Sequence, residues 1–547
     1  MSVLLRFGSV LLLVSWLSAC GGGGSGGSSS NSTGPVTISG TASYEDVPHY
    51  SNGYGWNFAN TTERPIRGAS VEAVDAEGNA IATDQTDANG NYSVSVARNT
   101  QVLIRVKAEL VQTGSPSWDI SVTDNTSSYA LYALEGNLAS SGTANSSRDL
   151  VAETGWGGLS YTGERAAAPF AILDQAYKVV QFLVETDAGI TIPELQLSWS
   201  VDNDTDEGSA EDGDIETSHY SYDGSISRIY LLGDTNSDAD EFDEHVIVHE
   251  MGHFFEHRFS RIDNIGGAHY IGDLLDLRVA YSEGLATAFA AMVLDDPNYK
   301  DGQGSTLYAG FGFSVEDNSS SDPDPGWYNE SSVQIILYDL YDSNSDNADN
   351  ISLGFDPLYQ TITNTADKDA FMSIFTFREE FDDRYPTYSS GLAALLTEQA
   401  ISGTDQYGAN ETNDLSLYGG NSVLPLYREL TANGSAITVC STDDYDDYSE
   451  GNKVSSAAFL RFNAASSGSY QVDISLNSAS TATTDPDFLV YQQGSPVGSG
   501  QSETDNSESA SLALAAGNYV MEVYHYGNID TETDNDAKAC FDVSLAL

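Results

Sequence analysis

The residues best placed for chemistry are His249, Glu250 and His253, in the run Val246-Ile247-Val248-His249-Glu250-Met251-Gly252-His253-Phe254-Phe255. On a helix, side chains four apart share one face, one turn apart. Two imidazoles so spaced can each direct a ring nitrogen at one metal ion, and zinc takes histidine nitrogen at about 2.0–2.1 Å. Glu250, beside the first histidine, then reaches a water at the ion. Zinc lowers the pKa of such a water towards about 7 and polarises a carbonyl. A carboxylate at that place takes the water's proton and later passes it to a leaving amine. The opposing reading is a surface helix with incidental histidines. The uncharged flanks on both sides of the motif argue against it.

Catalytic zinc needs a third protein ligand and an open position. His257 lies one further turn along, but a rigid helix does not bring three successive turns onto one tetrahedral ion. His257 is therefore read as a supporting or surface residue. The run Tyr281-Ser282-Glu283-Gly284-Leu285-Ala286-Thr287-Ala288-Phe289-Ala290 resembles the second-helix motif of gluzincins, peptidases in which a glutamate completes a His-His-Glu site. The resemblance implies His249, His253 and Glu283 as zinc ligands and Glu250 as general base and acid. The gap after His253 is longer than in thermolysin-like or aminopeptidase members, a departure that bears on the subfamily. The glycine and third histidine that metzincins place after His253 are absent. A glutamate at a helix N-terminus is also favoured by the helix dipole alone. Thr287, one turn after Glu283, is placed to support a ligand histidine or simply to pack. His269 in Gly266-Gly267-Ala268-His269-Tyr270, and Tyr328 in Gly326-Trp327-Tyr328-Asn329-Glu330, are candidates to contact substrate or an oxyanion. Packing or solvation is the alternative for each.

These residues need elements to hold them. Apolar residues at helical spacing (Phe170, Leu173, Tyr177, Val180 and Leu183) predict a helix over 166–184. Strands are predicted over 195–201 and 226–232, then helices over 240–258 and 282–294. The 226–232 strand lies where zincins carry the edge strand that lines the cleft and pairs with a peptide backbone. Two further helical stripes, Val333/Ile336/Leu337/Leu340 and Leu392/Leu395/Leu396/Gln399, complete an α+β domain over 146–434. Residues 35–145 read as all-β, with strands divided by turns such as Glu77-Gly78-Asn79 and Asn89-Gly90-Asn91. They resemble the carboxypeptidase regulatory-like β-sandwich. Residues 435–547 return to β. Their runs Asp485-Pro486-Asp487-Phe488-Leu489-Val490-Tyr491 and Gly517-Asn518-Tyr519-Val520-Met521-Glu522-Val523-Tyr524 resemble the pre-peptidase C-terminal domain, a small β-sandwich that is sometimes removed on maturation. The predicted fold class is thus multidomain: a β-sandwich, a zincin-type α+β peptidase domain and a second β-sandwich.

The chain's bulk properties narrow its setting. Its 547 residues exceed one hydrophobic core. Against 21 basic side chains stand 81 acidic ones, a surface that repels phosphates and excludes nucleic acid as a partner. Acidic loops at 202–214 and 342–350 have the carboxylate density to bind calcium, or are merely solvated. Arg6, an apolar run over 10–17 and Leu17-Ser18-Ala19-Cys20 resemble a bacterial lipoprotein signal. That resemblance implies a signal peptide over 1–19, lipidation of Cys20 and a Gly/Ser tether over 20–34. An ordinary signal peptide is the alternative. The expected location is the cell envelope, lipid-anchored at the outer membrane or cell surface, or secreted. The absence of aspartate after Cys20 leans away from inner-membrane retention. Cys440 and Cys540 remain, a pair suited to a disulfide in an exported chain or to two free thiols. The reading is zinc-dependent hydrolysis of a peptide or protein substrate. Two others stay open: a surface binding or adhesion protein on an inactive zincin fold, and a zinc hydrolase of a non-peptide amide or ester.

Overall fold

The computed structural model describes residues 34–51, 55–304, 307–317, 324–343, 351–415, 422–442, 451–481, 483–529 and 538–547. The expected signal peptide, Cys20 and the tether up to residue 33 lie outside the described residues, as does most of the acidic loop 342–350. Among the described residues the chain is multidomain, with several β-sheets and seven α-helices: α1 (Ala168–Thr186), α2 (Glu244–Phe259), α3 (Leu277–Leu294), α4 (Glu330–Tyr341), α5 (Phe355–Ile362), α6 (Ile374–Arg384) and α7 (Ser389–Glu398).

The N-terminal strands alternate as half-buried strands should; Asn91–Val96 puts Tyr92, Val94 and Val96 inside and its serines out. They do not form a separate sandwich. One sheet runs through His219–Tyr222, Ser227–Leu231, Leu195–Trp199, Trp118–Asp124, Gln101–Gln112, Ala69–Asp75 and Ala80–Gln85. Its seam is parallel: Ile120 pairs with Leu195 and Val122 with Leu197. Parallel neighbours need a long crossover, and α1, packed on Gln101–Gln112 and Trp118–Asp124, supplies it. One hydrophobic core accordingly spans the expected boundary at 145, from Val36 through α1 to the helices. A division at 145 is corrected on that ground.

The expected edge strand is also corrected. Ser227–Leu231 is paired on both sides, in parallel with Leu195–Trp199 and antiparallel with His219–Tyr222, which takes the edge. A tight turn makes room for this extra strand, with the Asp223 carboxylate accepting from the Ser225 and Ile226 amides at 2.9 Å each.

Helix α2 starts at Glu244 rather than 240 because Asp243 is engaged elsewhere: its carboxylate accepts from Trp56 Nε1 at 2.6 Å and from the Gly302 amide at 3.0 Å. Helix α3 starts earlier than expected, at Leu277, where the Asp276 side chain accepts from the Arg278 amide. It is apolar and 18 residues long, yet 89% of it is buried in the protein, so it is a core helix. Beyond residue 426 two sheets face each other over a second apolar core, Leu430 to Leu545. The Cys440–Cys540 disulfide joins adjacent strands at paired positions.

Helices α2 and α3 meet closely at Gly252. A Cβ there would lie 2.7 Å from the Ala286 Cα. In an open helix Gly→Ala gains about 1 kcal/mol. Here the methyl meets backbone, so Gly252→Ala is expected to lose about 1–3 kcal/mol instead. Urea unfolding measures the sign; a gain in stability would show that the helices part freely.

Candidate metal centre

The close α2–α3 approach sets the central geometry. His249 and His253 lie one turn apart on α2, and Glu283 faces them from α3. His249 Nε2 and His253 Nε2 each lie 3.2 Å from Glu283 Oε2. All three ligating atoms fall within 4.8 Å of one another. Two ligands about 2.0–2.1 Å from a tetrahedral ion sit roughly 3.3 Å apart, so the spacing fits zinc. Two imidazoles and one carboxylate are also a zinc donor set.

Hydroxyl groups orient both rings from behind. His249 Nδ1 is 3.1 Å from Thr287 Oγ1, and His253 Nδ1 is 3.2 Å from Ser282 Oγ. Ser282 donates onward to Glu256 Oε2 at 2.6 Å. With Nδ1 occupied, Nε2 of each ring is the nitrogen turned to the shared point. Glu283 is fixed too: its Oε1 accepts from Asn264 Nδ2 at 2.8 Å. Ser282 and Glu256 could be found in the sequence, one beside Glu283 and the other three residues after His253 on the same helix face. Asn264 carries no such signal.

Glu250 is buried at 7% exposure, and among the described residues no side chain or amide donates to its carboxylate. It stands beside the cluster, adjacent in sequence to His249. His269 comes to the site as well, with Nε2 3.5 Å from Glu283 Oε2 and Nδ1 3.1 Å from Glu330 Oε2. Tyr328 lies at the start of the α4 region, two residues before Glu330. It is buried, and its hydroxyl is 3.3 Å from the Pro325 carbonyl and 3.1 Å from Asn413 Nδ2, a packing role. His257 turns to Tyr220, 2.7 Å from its hydroxyl.

Electrostatics bind the cluster together. Burial opposes charge on His253, but the Glu283 carboxylate outweighs it and holds the ring up at about 9. Burial opposes charge on Glu283 too, yet His253 draws it well below the usual carboxylate range. His269 is held up at about 9, chiefly against burial, by Glu330 and then Glu283. Burial lifts Glu256 to about 8.

A second gathering of acids was not anticipated. The acidic loop 202–214 forms no three-ligand cluster among the described residues; Asp240, Asp243 and Asp301 do, within 4.8 Å. His49 Nε2 lies 2.9 Å from Asp243. Burial first, and then Asp243, raise Asp240 and Asp301 well above the ordinary value and Asp238 to about 6.

Residues 195–388 match the Mycolysin C-terminal domain family, so α2, α3 and the whole His249–His253–Glu283 cluster lie in a peptidase-related stretch. No curated protein sequence matches the chain. Among solved structures, the precursor of protealysin, a metalloproteinase from Serratia proteamaculans, shares 12% identity over 54% of this chain and 89% of its own, with a TM-score of 0.29. The pre-peptidase C-terminal domain of a collagenase from Bacillus anthracis shares 12% identity over 22% of this chain and 93% of its own, with a TM-score of 0.15. PliG, a periplasmic inhibitor of g-type lysozyme from Aeromonas hydrophila, shares 12% identity over 22% and 98%, with a TM-score of 0.14.

The raised aspartates set a pH dependence. Folded values above the unfolded value of about 3.9 mean stability that is complete below that pH and lost as pH rises through the folded values, about 6 for Asp238. In chelator, Asp240→Asn is expected to match the parent near pH 4 and to melt a few degrees higher at pH 8. Thermal unfolding at the two pH values tests this. An equal offset at both would show that the cluster does not titrate with folding.

Proposed function

We propose that this chain is a zinc-dependent peptidase. The observation that carries the reading is the convergence of His249 Nε2, His253 Nε2 and Glu283 Oε2 beside an unengaged, buried Glu250. These three side chains would hold the ion. When bound there, zinc supplies Lewis acidity to a substrate carbonyl and to an attacking water. Glu250 takes the proton from that water on its carboxylate and returns it to the leaving amine. His269, carried by a half-exposed loop, donates from its ring to the oxygen of the reacting carbonyl. The edge strand His219–Tyr222 offers its backbone to an extended peptide. Thr287 and Ser282 keep the ligand rings in one orientation, and Asn264 does so for the ligand carboxylate.

The setting belongs to the same proposal. The match to the Mycolysin C-terminal domain family supports a peptidase. The Cys440–Cys540 disulfide supports an oxidising compartment. Cys20 would then anchor the chain to the cell envelope, with a peptide or protein as substrate. The zincin-type domain would take in the N-terminal strands that share its sheet and core.

The test is hydrolysis of an unfolded protein by the full chain and by Glu250→Gln, with zinc content measured on both. The substitution keeps the metal-binding side chains and removes the base. The variant is expected to be at least about a hundredfold slower in kcat/KM at unchanged zinc content. Equal cutting by both would place catalysis elsewhere. A zinc-loaded parent that cuts no peptide bond would favour a binding protein, or a hydrolase of another amide or ester.

A further inference from the structure

The C-terminal sheets do more than follow the helices. Residues 452–454 reach into the segment that links α2 to α3. Leu275 and Lys453 form an antiparallel bridge. The Val454 amide donates to the Leu274 carbonyl, and the Asp276 amide to the Asn452 carbonyl, both at 2.8 Å. Asn452 is wholly buried, and its Nδ2 donates to the Gly266 and Ala268 carbonyls at 3.1 and 3.0 Å. Lys453 Nζ donates to the Ala268 carbonyl at 2.9 Å and to Asn452 Oδ1 at 2.8 Å. The carbonyls so held flank the two loop residues that touch the metal centre. Asn264 secures Glu283 Oε1, and the Gly266 amide in turn donates to Asn264 Oδ1 at 2.9 Å. His269 follows Ala268 directly.

A second anchor sits at the start of α3. Arg278 is 2% exposed. Its guanidinium is paired with Asp276 at 2.9 and 3.0 Å, and with Glu522 of the C-terminal unit at 2.7 and 3.2 Å. Tyr491 donates to the same Glu522 carboxylate at 3.0 Å. A buried, bidentate, fully paired arginine resists displacement, since losing one partner strands a charge.

We infer that Asn452 and Lys453 are positioning residues for the metal centre, and that the C-terminal unit is an integral part of the working protein rather than a segment to be trimmed away. The inference rests on the metal-centre reading. The chain of contacts runs from Asn452 and Lys453 to the loop carbonyls, from the loop to Asn264 and His269, and from these to Glu283. Partners behind a metal ligand of this kind change metal affinity or activity by about 10–100-fold when removed.

The experiment compares the full chain with Lys453→Met and Asn452→Ser. It measures the zinc dissociation constant by chelator competition, kcat and KM on an unfolded protein, and the thermal transition. Each variant is expected to bind zinc about tenfold more weakly and to lose kcat with KM little changed, while the main transition stays within a few degrees. Gly267→Ala approaches the contact from the loop side, where a Cβ would lie 2.6 Å from Asn452 Nδ2. Its backbone φ of +94° means that a side chain also strains the loop, so its thermal transition is read beside its zinc affinity, and it is expected to act in the same direction as the other variants. Parental zinc affinity and kcat in Gly267→Ala and in the folded variants would overturn the inference. A parent that binds zinc but does not cut would sink the peptidase reading alone, because the zinc arm still reports positioning. A parent that binds no zinc would sink the metal centre itself.

Discussion

The cluster of His249, His253 and Glu283 depends on how near α2 and α3 can run. Its three polar atoms meet only if the Glu283 carboxylate crosses the gap to both histidines. Packed helices usually keep axes about 8–10 Å apart, according to the side chains between them. Gly252, inside the motif, removes the side chain at the crossing and lets the Ala286 backbone close in. Two residues before Ala286 on α3, Gly284 does the same for α4: a Cβ there would lie 2.6 Å from the Glu330 carbonyl. That approach places the Glu330 carboxylate beside His269. Two glycines therefore set the spacing of three helices, and the polar contacts are arranged on the distances they leave.

Charge is the second constraint. The chain has 21 basic side chains for 81 acidic ones, and several of the few cations are spent inside. Arg165 is buried against Glu241 and stacks over Tyr161 and Trp199. Arg278 joins Asp276 to Glu522. Arg261 holds Asp263 and three carbonyls, of Ala366, Lys368 and Ala370. Each tethers segments distant in sequence at a place where an unpaired carboxylate would be costly. Asp240, Asp243 and Asp301 form no ion pair with a lysine or arginine among the described residues, and burial and mutual repulsion lift Asp240 and Asp301 well above the ordinary value.

What the sequence disclosed follows the reach of each interaction. The spacing of His249, Glu250 and His253 is a local helical pattern, so it could be read directly. Glu283 and Thr287 were legible through the run around them. Ser282 and Glu256 were within reach, since each lies on a helix face already identified. Asn264, Glu330 and Lys453 were not, because their roles depend on loop and sheet contacts without periodic trace. The boundary at 145 failed for the same reason. Alternation marks 118–124 as a strand but says nothing of its partner, and that partner lies beyond α1 at 195–199. Tyr328 was an aromatic beside a helix start, a pattern that packing satisfies as readily as chemistry does.

The same distinction explains why the C-terminal sheets look separable in sequence and are not so in structure. Their own apolar core is distinct from the larger one, and composition reports cores. Seams between cores are made in part of a few directional contacts. Here Val454, Phe459, Val520 and Tyr491 pack on the larger core, and beside them stand directional contacts that include a β-bridge, a buried arginine and two side chains donating to loop carbonyls. The directional contacts leave no periodic trace in the sequence, and the few apolar residues of the seam lie among strands whose alternation also builds the second core. The directional contacts do fix relative position, because a hydrogen-bond donor buried away from water is costly if its acceptor moves. The segment they fix is the one between the two ligand helices. A core can tolerate small shifts of its neighbour, whereas ligands that must meet within a few tenths of an ångström cannot. The polar contacts of the seam are therefore the part of the C-terminal unit that bears most directly on where Asn264 and His269 stand beside Glu283.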